Sequence, residues 1–125
     1  MTAGRLLLCI CCILTFGSCA EDEMGQFNTC QVHNPAEELG WLRASIAELE
    51  NNKDEIYPFR YILQAVYNQQ TVFIFGNCCP YCNTNAPVFD CEGKFLFNRY
   101  DEDRADRLTN ENVIWQAQNC ECNFL

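Results

Sequence analysis

The stretch that decides the fold is FRYILQAVYNQQTVFIFG, residues 59–76. Every second residue from Phe59 to Tyr67 is apolar, which predicts a β-strand with one buried face. The polar link Asn68-Gln69-Gln70 predicts a turn. The following run, TVFIFG at residues 71–76, is apolar on both faces, as is typical of a central strand. These residues therefore predict an antiparallel hairpin at the centre of a sheet.

A helix is predicted before this hairpin. Asn34 can cap it, Pro35 suits its first position, and Glu37 can complete a capping box. An apolar stripe follows at helical spacing and consists of Leu39, Leu42, Ile46 and Leu49. The polar pair at residues 51–52 ends the predicted helix.

Shorter elements are predicted after the hairpin. Residues 88–90 and 94–97 predict a third and a fourth strand, joined by the turn Asp90-Cys91-Glu92-Gly93. Residues 100–112 are highly charged and predict a short helix, and residues 113–115 predict a last short strand. Four alternating aromatic residues are predicted to lie in the core: Phe73, Phe75, Phe95 and Phe97. The order predicts an α+β fold with one N-terminal amphipathic helix packed on a small antiparallel β-meander.

The chain has 125 residues and a formal net charge of −9, so it is long enough for a single domain. Arg5 is the only charged residue before Cys19, which leaves 7 Lys and Arg against 17 Asp and Glu, a net charge of −10, from Cys19 onward. A surface this acidic repels phosphate backbones, which argues against a nucleic-acid partner.

The N-terminus has the pattern of an export signal. Residues 6–16, LLLCICCILTF, form an apolar run of eleven residues after Arg5, too short to span a bilayer. Gly17-Ser18-Cys19 follows, and here the sequence resembles bacterial lipoprotein precursors. The resemblance implies that Cys19 is lipidated and holds the protein at a membrane. Ordinary secretion, with cleavage near Cys19 and no lipid, is the alternative.

The acidic run Glu21-Asp22-Glu23 resembles the surface-export tag of Bacteroidota lipoproteins, which implies the outer membrane or the cell surface as destination. The predicted organisation is a signal peptide at residues 1–18, a lipid anchor and acidic tether at residues 19–33, and a single α+β domain at residues 34–125.

Seven of the 11 cysteines lie beyond the anchor: Cys30, Cys78, Cys79, Cys82, Cys91, Cys120 and Cys122. Outside the cytoplasm such a set predicts a disulfide framework. Because seven is odd, at least one of them has no partner among the others. Any six allow 15 pairings, so the connectivity stays open.

The segment Cys79-Pro80-Tyr81-Cys82 resembles the active-site motif of glutaredoxins and thioredoxins. The resemblance implies that Cys79, lying at a helix N-terminus, is a nucleophile and that Cys82 is the resolving thiol. It covers about twenty residues. The turn at residues 90–93 interrupts the long helix that this family has next, and only 43 residues follow Cys82.

A zinc site of Cys79, Cys82, Cys120 and Cys122 is a third interpretation of the same cysteines. An oxidising compartment and the unusual spacing of the last pair argue against it, so we expect no metal and no cofactor. His33 is the only histidine and lies in a polar segment, where a solvated side chain is expected.

The chain from residue 30 to residue 124 resembles a group of small Bacteroidota lipoproteins whose domain type has no assigned function. The resemblance rests on the segments NPAEELGWL (34–42), QTVF (70–73), NCCPYCNT (77–84), PVFDCEG (87–93) and VIW (113–115). It implies one domain with a helix before a meander, and it implies no activity. The sequence thus predicts a binding or structural role at the cell envelope, with an unknown protein or small-molecule partner. A thiol-disulfide oxidoreductase is the alternative.

Overall fold

A computed structural model of the protein describes residues 30–83 and 85–124. The predicted signal peptide and the predicted lipidation site at Cys19 lie outside the described residues. Five strands form one antiparallel sheet: β1 (Arg60–Tyr67), β2 (Gln70–Asn77), β3 (Pro87–Phe89), β4 (Phe95–Asn98) and β5 (Thr109–Gln116). Together with a few short helices, this sheet confirms the predicted α+β class.

The strand order is β4-β3-β2-β1-β5, which differs from a simple meander. Strands β1 to β4 do form a meander, but the chain then crosses the sheet and adds β5 beside β1. The burial of β1 explains this arrangement, because Ile62 is 0% exposed on one face and Leu63 is 7% exposed on the other. A strand buried on both faces is favoured inside a sheet, and β5 becomes the edge in its place.

The hairpin between β1 and β2 turns within two residues. Tyr67 pairs with Gln70, so Gln70 belongs to β2 and not to the turn. Asn68 and Gln69 have φ angles of 48° and 63°. Two consecutive positive φ angles are the pattern of a type I′ turn, whose twist matches that of the flanking strands.

The predicted single helix is divided into α1 (Pro35–Glu38) and α2 (Gly40–Asn51). Leu39 lies between them in an extended conformation, with φ −81° and ψ 109°. Gly40 follows directly, and the low helix propensity of glycine favours a break here. A 3₁₀ turn at Tyr57–Phe59 and a short helix α3 (Glu102–Ala105) are the other helical segments of the described chain.

The cap of α1 differs from the predicted capping box. The side chain of Asn34 makes no capping hydrogen bond. The Glu38 carboxylate instead accepts hydrogen bonds from the backbone N–H groups of His33 (3.1 Å) and Asn34 (2.7 Å). The carboxylate that returns to the helix start is therefore Glu38 and not Glu37.

The two faces of the sheet are covered differently. On one face α2 packs through Leu42 against Ile62 and Phe73, all three of them 0% exposed. The other face, here called the open face, has a larger apolar cluster: Leu63, Ala65, Val72, Ile74, Ala86, Val88 and Phe97. The crossing segment at residues 99–108 covers part of it, with Arg104 lying over the Phe97 ring and Arg107 over the Tyr67 ring.

One predicted core residue is wrong. Phe73 and Phe97 are buried, but Phe95 is 56% exposed, since it lies at the start of the edge strand β4. Its ring contacts that of Phe89, with a centroid separation of 6.1 Å.

The turn between β3 and β4 holds α2 through one tryptophan. The Trp41 indole N–H donates a hydrogen bond of 2.8 Å to the Cys91 carbonyl. Gly93 in this turn has a φ of 80°, and a Cβ atom there would lie 2.7 Å from the Trp41 ring. Glycine thus permits both the backbone conformation and the close approach. Among the described residues, no helix is long and apolar enough to cross a bilayer.

Candidate functional site

Six of the seven candidate cysteines are paired. The disulfides are Cys30–Cys91, Cys78–Cys122 and Cys79–Cys82, with Cα–Cα separations of 5.5, 5.7 and 5.4 Å. Cys120 is the free thiol of the described chain and is partly exposed. These pairs support the cysteine-rich, disulfide-bonded character of the domain. Cys30–Cys91 also attaches residues 30–33, predicted to belong to the tether, to the β3–β4 turn.

The Cys79-Pro80-Tyr81-Cys82 segment lacks the helix that its resemblance implies. Described residues 78–83 form an irregular turn, and β3 begins at Pro87. Cys79 is bonded to Cys82 and is only 4% exposed. A helix N-terminus, which would stabilise a thiolate at Cys79, is therefore not present at this segment.

The four cysteines of the zinc interpretation do not assemble as thiolates. Cys79 and Cys82 are bonded to each other, and Cys122 is bonded to Cys78. Only Cys120 retains a thiol. Within residues 30–83 and 85–124, no three His, Cys, Asp or Glu side chains are grouped as metal ligands. His33 is exposed, as a solvated side chain should be.

The C-terminal tail, residues 117–124, runs beside the 3₁₀ turn and the start of β1. The Ala117 N–H donates to the Arg60 carbonyl at 3.0 Å, and the Glu121 N–H donates to the Pro58 carbonyl at 2.9 Å. The Cys78–Cys122 disulfide then joins the tail to the end of β2. Three independent attachments therefore fix the position of the last residues described.

This tail forms one wall of a cavity of about 550 Å³ on the open face, here called the open-face groove. The sheet supplies its floor, and the crossing segment supplies the opposite wall. The lining residues are Tyr61, Leu63, Arg99, Tyr100, Glu111, Asn112, Val113, Asn123 and Phe124. The groove combines aromatic, apolar, amide and charged side chains.

Tyr61 forms the centre of the groove floor. Its ring lies against Gly76, its cross-strand partner, where a Cβ atom would come within 2.5 Å of the ring. The Phe124 ring meets it edge to face at a centroid distance of 5.0 Å. Burial, and then the neighbouring Tyr100, raise the pKa of the Tyr61 phenol. The phenol is therefore protonated at neutral pH and can donate a hydrogen bond.

An ion pair spans the open face beside Tyr61. Arg99 follows β4, Glu111 lies on β5 at the opposite edge of the sheet, and their side chains meet at 2.8 Å. The two side chains are 27% and 29% exposed, so both keep contact with solvent. The pair leaves the groove without a net charge of its own while offering both a hydrogen-bond donor and an acceptor.

Two smaller cavities, of about 250 and 350 Å³, flank Arg60 below the end of α2. The Arg60 guanidinium pairs with the Asp54 carboxylate at 2.7 Å, and its Nε atom is buried without a hydrogen-bond partner. Since the unpartnered atom is inaccessible, neither cavity presents it to a ligand.

The residues of the groove were missed at the sequence level. Alternation predicts that Tyr61 points to one face of the sheet. Glu111 lies in residues 100–112, which were predicted to be a short helix, and Arg99 lies just before that segment. Arg99 and Glu111 come together because the chain crosses the open face and places β5 beside β1. Comparisons with protein-family models, with curated proteins and with solved structures find no match.

Proposed function

We propose that this protein is an exported, lipid-anchored binding protein that presents the open-face groove at the cell envelope. The observation that carries the proposal is the groove itself, a mixed aromatic and polar cavity with a wall held by the Cys78–Cys122 disulfide. Small-molecule sites typically combine a concave apolar surface with a few placed polar groups.

The anchoring part of the proposal is supported by the sequence alone. The short apolar run followed by Gly17-Ser18-Cys19 resembles lipoprotein precursors, and the acidic run behind Cys19 resembles a surface-export tag. Cys30 is bonded to the domain only eleven residues later, which limits the domain to within about 40 Å of the anchor. Incorporation of a labelled fatty acid, lost in Cys19→Ala, tests this part.

In the binding part of the proposal, residues 34–125 form one unit with an amphipathic helix packed on the sheet. Two disulfides lie within this unit, and a third attaches Cys30 to it. Such a scaffold is suited to hold a groove in one shape before a ligand arrives, which reduces the entropic cost of binding. The Cys78–Cys122 disulfide attaches the wall that contains Asn123 and Phe124.

A ligand-observed NMR screen of a small polar fragment library tests the binding part. We expect fragments whose binding is saturable and is weakened or lost when Cys78 and Cys122 are both replaced by Ser, because the tail wall then loses its covalent attachment to the end of β2. The double replacement of Cys79 and Cys82 by Ser is the matched control and should retain the same hits. The absence of any fragment that binds the groove would count against a binding role.

The second candidate is a thiol-disulfide oxidoreductase that uses Cys79 and Cys82. The observation in its favour is that these two cysteines are bonded to each other and that Tyr81 between them is 76% exposed. The irregular turn at residues 78–83 argues against it. In the reduced protein this candidate requires a Cys79 pKa well below the usual 8.5 or so, which thiol alkylation against pH can measure.

A further inference from the structure

We propose that the ligand of the open-face groove is an uncharged saccharide; this rests on the proposed binding function and specifies its ligand class. A saccharide ring has apolar C–H faces and a rim of hydroxyl groups that both donate and accept hydrogen bonds. The groove matches both features with side chains that are accessible.

Two aromatic rings on opposite walls are exposed to a ligand. Tyr100 on the crossing segment is 53% exposed, and Phe124 on the tail is 42% exposed. Phe124 keeps this exposure although one edge of its contact surface meets the Tyr61 ring. Aromatic rings bury large apolar areas with little loss of conformational freedom, so they suit the C–H faces of a sugar.

The polar groups of the groove offer both kinds of hydrogen bond. The Tyr61 phenol and the Arg99 guanidinium can donate, and the Glu111 carboxylate can accept. The amides of Asn112 and Asn123 can do both. A ligand that both donates and accepts hydrogen bonds can use all of these groups, whereas one that only donates or only accepts cannot.

Charge argues for an uncharged ligand. Arg99 and Glu111 neutralise each other at 2.8 Å, so the groove has no unpaired charge to attract an ion. The chain as a whole has a net charge of −9, which repels anions. The volume of about 550 Å³ lies in the range of small-ligand pockets and gives room for a short oligosaccharide.

The test is an NMR titration of the ¹⁵N-labelled oxidised domain with neutral trisaccharides (maltotriose, cellotriose and tri-N-acetylchitotriose) and with the acidic trisaccharide trigalacturonate. We expect saturable shifts from at least one neutral sugar, confined to the amides of the groove and the tail. Trigalacturonate should bind at least tenfold more weakly.

Two exposed tyrosines provide a matched pair of variants. Tyr100→Ala should weaken binding of the neutral sugar by about threefold to tenfold, the effect expected for one stacked ring. Tyr81→Ala removes a ring that is 76% exposed and lies outside the groove. This variant should bind the neutral sugar with the same affinity as the unmodified protein.

Glu111→Gln tests the charge argument, because it leaves Arg99 without its carboxylate. The ratio of the affinity for the neutral sugar to that for the acidic sugar should fall, because trigalacturonate should bind this variant more tightly at low salt. If no sugar shifts the groove amides while other fragments do, the saccharide class is wrong and the binding function stands. If neither sugars nor fragments shift them, both are wrong. Preferred binding of trigalacturonate by the unmodified protein would also overturn the inference.

Discussion

At the scale of the residue, Tyr61 shows how a side chain on a regular strand becomes part of a site. The alternation of β1 places it on the open face, and Gly76 across the strand pair leaves space for its ring. Phe124 and Tyr100 then enclose it, and burial raises its pKa. The contacts that form the groove floor therefore also favour the protonated form of the tyrosine, which donates a hydrogen bond.

The raised pKa predicts an alkaline limit to stability. The folded protein holds the Tyr61 proton more tightly than the unfolded chain, whose tyrosine pKa is about 10. The resulting stabilisation is present below pH 10 and is lost as the pH rises through the folded pKa. Urea unfolding between pH 8 and pH 11 should show this decline.

Tyr61→Phe should have a flatter profile over that pH range. Tyr67→Phe, which removes a phenol from the same face outside the groove, is the control. Both variants are made with Cys120→Ser, since a free thiol exchanges with disulfides at alkaline pH. An equally steep decline in Tyr61→Phe would mean that other groups cause it.

At the scale of the element, the sequence predicted most of the secondary structure, and its errors have local causes. The β3–β4 hairpin and the β1–β2 hairpin follow from apolar runs separated by turn residues. The N-terminal half of β5 was missed because Thr109–Asn112 is polar and exposed at the sheet edge, so no apolar alternation marks it. The break at Leu39 was missed because its apolar spacing continues the helical stripe.

The contact between α2 and the β3–β4 turn gives a second prediction. Gly93→Ala forces a side chain into left-handed backbone and brings Cβ within 2.7 Å of Trp41. Strain and overpacking together should lower the free energy of unfolding by about 2–4 kcal/mol, measured by urea unfolding of the oxidised protein.

Gly40→Ala is the control for this change, because a Cβ atom at Gly40 meets no atom within 4 Å. Alanine there should leave the stability unchanged or raise it by up to about 1 kcal/mol, since it lies in the first turn of α2. If Gly93→Ala lowers the free energy of unfolding by no more than Gly40→Ala changes it, the close packing of Trp41 on the turn is contradicted.

At the scale of the whole molecule, the disulfides secure the ends of the described chain. Cys30–Cys91 and Cys78–Cys122 span 61 and 44 residues, and loops of this length correspond to a stabilisation of about 4 kcal/mol each in the chain-entropy account. Cys79–Cys82 spans three residues and contributes less. The Cys79–Cys82 disulfide thus constrains only its own turn. The two long-range disulfides fix the N-terminal segment and the groove wall.

The pairing of the cysteines could not be predicted from the sequence, although their use in disulfides could. The Cys78–Cys122 pair depends on the crossing of residues 99–108 over the open face, which places β5 beside β1 and the tail next to Cys78. No local pattern encodes that crossing. For the same reason the sequence indicated the Cys79–Cys82 segment as a candidate site and gave no sign of the open-face groove.

The pairing of Cys122 is the most direct test of the proposed groove, and a disulfide map by mass spectrometry measures it. The native protein is alkylated and then digested without reduction. Cleavage after Tyr81 separates Cys82 from Cys79, and electron-transfer fragmentation distinguishes Cys78 from Cys79. We predict the pairs Cys30–Cys91, Cys78–Cys122 and Cys79–Cys82, with the alkyl label on Cys120. A bond from Cys120 to Cys78, with Cys122 alkylated, would displace the tail wall and contradict the groove on which the proposed function rests.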